Sequence, residues 1–175
     1  MRFEKIKAMR EESIYKIVGW ILLPITVLLA LYGIITLFVM QNLIILIMDI
    51  VFVGTLMYLI RSIQFLRKNI IPNVQAKRSV GLGIRFSAFF AAFLVLNIIY
   101  LCVKVLSDQT VIKPAIDAAI NMMQMHGVAI SYAYLHQSFI IALWIELTYA
   151  LLLLLHLLMS FLFLRRYRNL FEQEN

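Results

Sequence analysis

Charged residues and cysteine are scarce in this sequence of 175 residues. Charged residues make up 14% of the chain, apolar and aromatic residues make up 63%, and the mean hydropathy is +0.93. A soluble domain is nearer half apolar, so the composition excludes an ordinary soluble protein. A single cysteine excludes an intrachain disulfide and a multi-cysteine metal site. Walker, zincin, dinucleotide-binding and nucleophile-elbow motifs are absent, so we expect no enzyme and no cofactor.

Four long hydrophobic runs dominate the sequence. A bilayer is crossed by a helix of about 20 apolar residues, and each run approaches or exceeds this length. We place the membrane spans at about residues 17–40, 43–60, 86–106 and 139–164. Only two residues separate the first span from the second, which predicts an antiparallel hairpin. The sequence therefore predicts an all-α integral membrane protein, folded as a single-domain four-helix bundle over residues 1–175.

Three further segments lie before and between the spans. Residues 1–14 place apolar side chains at helical spacing among basic ones, which predicts either a short interfacial helix or a solvated leader. Residues 61–85 form a basic loop. Residues 107–137 contain the stretch PAIDAAINMMQMHG, in which Pro114 is suited to start a short amphipathic helix and Gly127 to end it.

Lysine and arginine residues are concentrated at one set of predicted helix ends. The central loop carries six of them and no acidic residue: Arg61, Arg67, Lys68, Lys77, Arg78 and Arg85. Together with five in the leader and three in the tail, fourteen of the sixteen lie on one side of a four-span protein. The positive-inside rule then places both termini and the loop in the cytoplasm, and residues 107–137 outside. We expect the loop to be a topology signal; the alternative is binding of anionic lipid or an acidic partner, and we expect no nucleic-acid binding.

Four polar side chains within or at the ends of the apolar runs are candidates for function. Asp49, Asn97 and Glu146 fall roughly 9 to 14 Å below the outer surface, at about 1.5 Å of rise per residue, so they could meet in one bundle. A charge at this depth costs about 2.5 to 3.5 kcal/mol, so each carboxyl is expected to be protonated, paired or hydrated. Lys104 could form a structural ion pair with Asp49 or Glu146. The alternative is a proton or cation relay shared by the two carboxyls.

Two histidines raise separate questions. His156 lies further toward the cytoplasmic side of the fourth span, where a hydrogen bond to a hydroxyl such as that of Ser160 explains it as well as a proton path does. His126 lies beside Met122 and Met125, and thioethers with imidazole are ligands that Cu(I) prefers. We expect these methionines to pack as ordinary apolar side chains, with a Cu(I) site as the weaker alternative.

The stretch LMYLIRSIQFLRKNIIPNVQAKRSVGLGIRFSAFF, residues 56–90, has a distinctive order of elements. A span ends in a basic helix, passes a short turn that contains asparagine, and resumes through a second basic helix into the third span. This region resembles the centre of small bacterial four-span membrane proteins of unknown function, which are often encoded beside Cro-type repressors. The resemblance implies a bacterial inner-membrane location and supplies no catalytic residues.

The absence of extramembrane mass favours a protein that works by contact. Four short spans offer helix faces and little else, so we expect an accessory, regulatory or immunity-type subunit that binds another membrane protein or its own copies. The alternative is a homo-oligomeric ion channel or proton-coupled carrier, in which Asp49, Asn97 and Glu146 line a hydrated path.

Overall fold

Long helices make up nearly all of the described structure. A computed structural model describes residues 2–40, 43–125 and 127–171. Within them the helices are α1 (Arg2–Met40), α2 (Leu43–Phe65), α3 (Arg78–Ser107), α4 (Lys113–Met125) and α5 (Tyr132–Arg166). No β-strand forms in these residues, where extended pairing is limited to an isolated bridge between Ala76 and Phe171. The predicted all-α class is confirmed.

Four helical segments in the described residues are long and apolar enough to cross a membrane. They are Arg10–Phe38, Leu43–Ile70, Arg78–Ser107 and Tyr132–Arg166. Each overlaps one of the predicted spans. The second and third also extend into the predicted loop at residues 61–85, because its flanks are rich in residues that continue a helix.

The N-terminal helix differs from the sequence prediction. The sequence predicted an interfacial helix or a solvated leader over residues 1–14, separate from a span starting at residue 17. The structure instead has one helix from Arg2 to Met40. Glutamate, lysine, arginine, alanine and methionine dominate its first turns, and these strong helix formers leave no break before the apolar run. Pro24 lies inside this helix without ending it.

Helices α1 and α2 pack as an antiparallel hairpin whose register is visible at two glycines. A Cβ atom at Gly33 would strike the Asp49 carboxyl group, and one at Gly19 would touch the side chain of Ile63. Both pairs are symmetric about residue 41, so the helices keep one register along this length. The predicted hairpin is confirmed, while its turn at residues 41–42 lies outside the described residues.

A hydrogen-bonded turn connects α2 to α3. The backbone widens after α2, where the Ile71 N–H donates to the Leu66 carbonyl at 3.0 Å across five residues. Asn73 then adopts a left-handed conformation with a φ of 53°, which asparagine tolerates better than most residues. The Asn69 side-chain amide donates to two backbone carbonyls of the same turn. The start of α3 is thereby brought back beside the end of α2.

The chain divides into two compact units. The first comprises Met1–Val95 and Leu152–Asn175, and the second comprises Leu96–Leu151, so α3 and α5 each contribute to both. The first unit has a core in which the largest fully buried side chains are Leu22, Tyr58, Leu59, Leu66, Ile84, Leu94, Leu153 and His156. Its interior therefore combines aliphatic packing with polar groups.

The second unit packs around Cys102. This buried side chain contacts Leu143 of α5, and its Sγ lies 3.6 Å from the Leu143 carbonyl oxygen. From α4, Ile116 is fully buried and Met123 packs against the same core, whereas Met125 is exposed. Helix α4 is therefore amphipathic, as the sequence predicted.

Candidate functional site

Four polar side chains meet in the first unit where α1, α2 and α5 pack together. Tyr15 comes from α1, Tyr58 from α2, and His156 and Ser160 from successive turns of α5. All four are buried, and Tyr58 and His156 are 0% exposed. Residues four apart lie on one face of a helix, so His156 and Ser160 reach the same neighbours. We call these four residues the hydroxyl–imidazole cluster.

The Tyr58 hydroxyl group is the centre of the hydrogen bonding. It donates to Ser160 Oγ at 2.8 Å and lies 2.9 Å from His156 Nδ1. Because its one proton is directed to Ser160, its oxygen accepts a hydrogen bond from the Nδ1–H of His156. The Tyr15 hydroxyl is bonded to the same Ser160 oxygen. The sequence predicted a hydroxyl partner such as Ser160 for His156, and the structure places Tyr58 between the two.

Packing encloses the rest of the imidazole ring. The Tyr15 ring stacks on it, with centroids 4.2 Å apart and an angle of 11° between the planes. The Tyr58 ring meets it edge-on at a centroid distance of 5.5 Å. His156 Nε2 has no hydrogen-bond partner among the described residues and faces Gly19, where a Cβ atom would lie 3.0 Å away. Because residue 19 is glycine, the imidazole ring can pack directly against α1.

The hydrogen bonds of the cluster hold three helices together. A nucleophilic serine needs a base within hydrogen-bond reach. Within the described part of the chain, Ser160 is bonded to the two tyrosine hydroxyls, and no bond joins its oxygen to His156. Each member is at most 3% exposed, so the site offers no surface to a substrate. Its hydrogen bonds join α5 to both α1 and α2.

Asp49 of α2 is a separate buried polar group in the first unit. Its side chain is 5% exposed, and neither carboxyl oxygen has a hydrogen-bond partner among the described residues. It fits against α1 because residue 33 is glycine, since a Cβ atom there would lie 1.8 Å from Oδ1. We expected such a carboxyl to be protonated, paired or hydrated. Pairing is not observed among the described residues.

The other predicted polar residues belong to the second unit, so Asp49 is in a different compact unit from Asn97 and Glu146. The side chains of Asn97, Lys104 and Glu146 are exposed. Over the described ranges 43–125 and 127–171, no ion pair joins Lys104 to Glu146, so the pairing considered for these two is not formed in this structure. Lys104 lies in the last turn of α3, where a long side chain can extend toward the helix end.

Two contacts tie the first turns of α1 to the end of α5. Arg166 Nη1 donates to Glu11 Oε2 at 2.6 Å, and the Tyr167 hydroxyl donates to Glu12 Oε1 at 2.7 Å. Burial and the hydrogen bond to Glu12 raise the pKa of Tyr167 to about 12. The ion pair is partly exposed, and exposed pairs contribute at most about 1 kcal/mol. These contacts therefore position the two helix ends more than they stabilise the fold.

The basic residues of the predicted loop lie at the end of α2, in the turn and at the start of α3. Arg61 is half-buried, and its Nη1 donates to the Gly83 carbonyl at 3.1 Å, which links α2 to α3. The other five are exposed: Arg67, Lys68, Lys77, Arg78 and Arg85. Arg61 thus has a structural contact in addition to its charge.

The residues considered for Cu(I) do not form a described site. Met122 and Met125 are 54% and 78% exposed, and His126 lies outside the described residues. Among the residues that the structure describes, no group of three or more histidine, cysteine, aspartate or glutamate side chains could hold a metal ion. The neighbouring Met123 packs on the core of the second unit, whereas Met122 and Met125 are exposed, so the packing expected of these two methionines is not observed.

The sequence points to His156 and Ser160 but not to Tyr15 and Tyr58, the other two members of the cluster. A usable signal was the spacing of polar residues near the predicted cytoplasmic ends of the second and fourth spans. Tyr58 with Ser62, and His156 with Ser160, are each four residues apart, so each pair lies on one helix face. The two pairs mark a polar face on α2 and another on α5, but only the fold shows that these faces meet.

Comparison with known proteins identifies no relatives. No family model matches the sequence, and no curated protein or solved structure has significant similarity to it. The resemblance of residues 56–90 to small bacterial four-span proteins therefore stays a prediction.

Proposed function

We propose that this chain is a multi-pass protein of the bacterial cytoplasmic membrane that acts by helix–helix contact. Its role is that of an accessory, regulatory or immunity-type subunit for another membrane protein or for copies of itself. The four long apolar helices support membrane insertion. The one-sided distribution of lysine and arginine supports an orientation with both termini in the cytoplasm, facing anionic lipid.

The observation that carries the contact role is the exposure of Glu146 on α5. Its side chain is exposed within an apolar helix, and the exposed side chain of Ile145 lies next to it, about 100° away around the helix. In a bilayer, a carboxyl group on such a face costs about 2.5 to 3.5 kcal/mol if it remains charged against lipid. A polar group from a neighbouring helix of another chain removes part of this cost. We therefore expect the face around Glu146 to be covered by a partner.

The second candidate function is a homo-oligomeric ion channel or proton-coupled carrier. It is favoured by Asp49, whose buried carboxyl oxygens have no partner among the described residues. A proton or cation bound there, with Glu146 as the second carboxyl, would give the relay that the sequence suggested. No hydrogen bond joins the hydroxyl–imidazole cluster to Asp49 among the described residues, so the cluster is not counted in this relay.

Photo-crosslinking from the α5 face tests the contact role. A photoreactive phenylalanine analogue replaces Ile145 in one variant and Tyr32 in the control, which is similarly exposed at 69% but lies on α1. We expect a protein adduct from position 145 that is much weaker from position 32, and that is lost when Glu146 is changed to glutamine. Adducts to lipid alone from position 145 would contradict the contact role.

Reconstitution separates the two functions. The purified chain is placed in nanodiscs to measure its mass and in liposomes to record proton and cation flux. Asp49→Asn and Glu146→Gln are compared with Asp117→Asn, which changes an exposed acid on α4. A contact protein shows no flux in any variant. Flux that is lost in Asp49→Asn or Glu146→Gln, but kept in Asp117→Asn, would replace the contact role with the channel or carrier.

A further inference from the structure

A cavity lies between the end of α2 and the start of α3 in the first unit. Its volume is about 490 Å³, within the range of roughly 300 to 1,000 Å³ that small-molecule sites occupy. The side chains that give it polar character are Arg61, Gln64, Lys68, Asn69 and Ser79. The connecting turn brings these residues together from two helices, so the cavity is a formed feature of the fold.

The lining of this cavity is cationic. Arg61 and Lys68 bring two positive charges, and no carboxylate is among the lining residues in the described structure. Arg61 uses one N–H for the Gly83 carbonyl, whereas a guanidinium group has five. Lys68 is exposed and forms no ion pair within residues 2–40, 43–125 and 127–171. Positive charge therefore faces the cavity without a described counter-charge.

The first turn of α3 adds to the positive potential. Ser79 and Val80 line the cavity and belong to the start of a helix of 30 residues. The N-terminus of a helix carries a partial positive charge, and its N–H groups favour anions such as phosphate. The Ser79 hydroxyl is a further donor. The start of α3 thus lies beside two cationic side chains in one cavity. A guanidinium group, an ammonium group and a hydroxyl group are the hydrogen-bond donors that line it.

The positions of these residues along the chain place the cavity at the depth of lipid headgroups. In the proposed orientation the second span ends near residue 60 and the third begins near residue 86. At about 1.5 Å per residue, Lys68 lies up to roughly 12 Å beyond one boundary and Ser79 up to roughly 10 Å beyond the other. The headgroup layer is about 5 to 7 Å thick on each side, so the inner part of the cavity lies at the level of lipid phosphates.

We propose that this cavity binds a phosphate group through Arg61, Lys68 and Ser79. Guanidinium and ammonium groups make charge-assisted hydrogen bonds to phosphate oxygens, and the serine hydroxyl completes the donor set, because the Val80 N–H is already bonded to the Lys77 carbonyl. The phosphate group arrives either on an anionic lipid or as the free ion. The proposal does not depend on the helix contacts proposed above, because it uses only residues of the first unit.

Native mass spectrometry of the full chain in a neutral detergent tests the site. Phosphatidylglycerol and phosphatidylcholine are the lipid probes, and Lys68→Gln is compared with Arg67→Gln. Both variants lose one exposed positive charge from adjacent positions, but only Lys68 lines the cavity. We expect Lys68→Gln to weaken phosphatidylglycerol binding about tenfold, as the loss of one charge-assisted hydrogen bond implies. Arg67→Gln should bind like the wild type, and phosphatidylcholine should bind weakly throughout.

A second arm identifies the source of the phosphate. Inorganic phosphate is titrated while the melting temperature and the retained phosphatidylglycerol are measured. Stabilisation by phosphate that requires Lys68, together with displacement of the lipid, assigns the site to the free ion. Lipid binding that phosphate does not displace assigns it to the headgroup. Ser79→Ala keeps every charge and should also weaken binding of the phosphate group. This variant tests the site if Lys68→Gln misfolds.

The proposal is overturned by one clear pattern. If wild type, Lys68→Gln and Arg67→Gln retain phosphatidylglycerol equally, and inorganic phosphate has no effect that depends on Lys68 or Ser79, the cavity does not bind phosphate. Equal weakening by Lys68→Gln and Arg67→Gln overturns it as well, because binding then follows total charge and not the cavity.

Discussion

Changing Tyr58 to phenylalanine should weaken the packing of α1, α2 and α5 through the loss of one oxygen atom. That oxygen accepts a hydrogen bond from His156 Nδ1 at 2.9 Å and donates to Ser160 Oγ at 2.8 Å. Phenylalanine keeps the ring, so the apolar burial and the edge-on contact with the imidazole are preserved. The substitution therefore isolates the contribution of the hydrogen bonds.

The free energy of unfolding should fall by about 1 to 3 kcal/mol. Side-chain hydrogen bonds between membrane helices contribute about 0.6 kcal/mol on average and up to about 1.7 kcal/mol, and this change removes two of them. His156 is fully buried, so its Nδ1–H is also left without an acceptor, which adds to the loss. Ser160 keeps its bond to Tyr15, which limits the loss on that side.

Equilibrium unfolding in mixed detergent micelles, or steric trapping in bicelles, measures this loss. Tyr100→Phe is the matched control: it removes the same oxygen from a side chain that is 67% exposed, and should change the free energy of unfolding by less than about 0.5 kcal/mol. Adding Ser160→Ala completes a double-mutant cycle, in which we expect a coupling of at least about 0.5 kcal/mol. Equal stabilities of the Tyr58→Phe and Tyr100→Phe variants would refute the reasoning.

Two further predictions concern the hairpin and the helix ends. Gly33→Ala should destabilise the fold by about 1 to 3 kcal/mol, because the new methyl group overlaps the Asp49 carboxyl group. In an Asp49→Ala background the same unfolding assay should show a much smaller loss. Equal losses in the two backgrounds would contradict the close contact. The pKa of Tyr167 is raised from 10.0 to about 12. The protonated Tyr167 hydroxyl therefore contributes fully to stability below pH 10, and this contribution is lost as the hydroxyl ionises and the pH rises through 12. Ultraviolet difference absorbance between wild type and Tyr167→Phe measures this pKa; a midpoint near 10 would rule out the effect of burial and of the Glu12 bond.

The sequence predicted the elements whose cause is local. Apolar runs of bilayer length predicted four long helices, and the two-residue turn at 41–42 predicted the α1–α2 hairpin. Pro114 and Gly127 predicted α4, which runs from Lys113 to Met125, with Gly127 at a φ of 75° just beyond it. Each of these features follows from a few adjacent residues, so one sequence is sufficient.

Rotation of the apolar helices about their own axes could not be predicted in the same way. A helix that is hydrophobic on all sides gives no preferred face, so nothing local shows that Tyr58 faces α5 or that Glu146 is exposed. The contact between Asp49 and Gly33 is an intermediate case, because both residues are equidistant from the predicted turn. Symmetry about a short turn is thus a usable signal, whereas contacts with α5 require the fold.

The hydroxyl–imidazole cluster also has a consequence for the order in which the protein is made. His156 is separated from Tyr58 by 98 positions in the chain, and a ribosome adds about 5 to 20 residues per second, so roughly 5 to 20 s pass before the imidazole is synthesised. Throughout that interval the α1–α2 hairpin has Tyr15 and Tyr58 without their partners on α5. A chain truncated before α5 would keep Tyr15 and Tyr58 permanently without these partners, so the hydrogen bonds that tie the hairpin to α5 form only once synthesis is nearly complete.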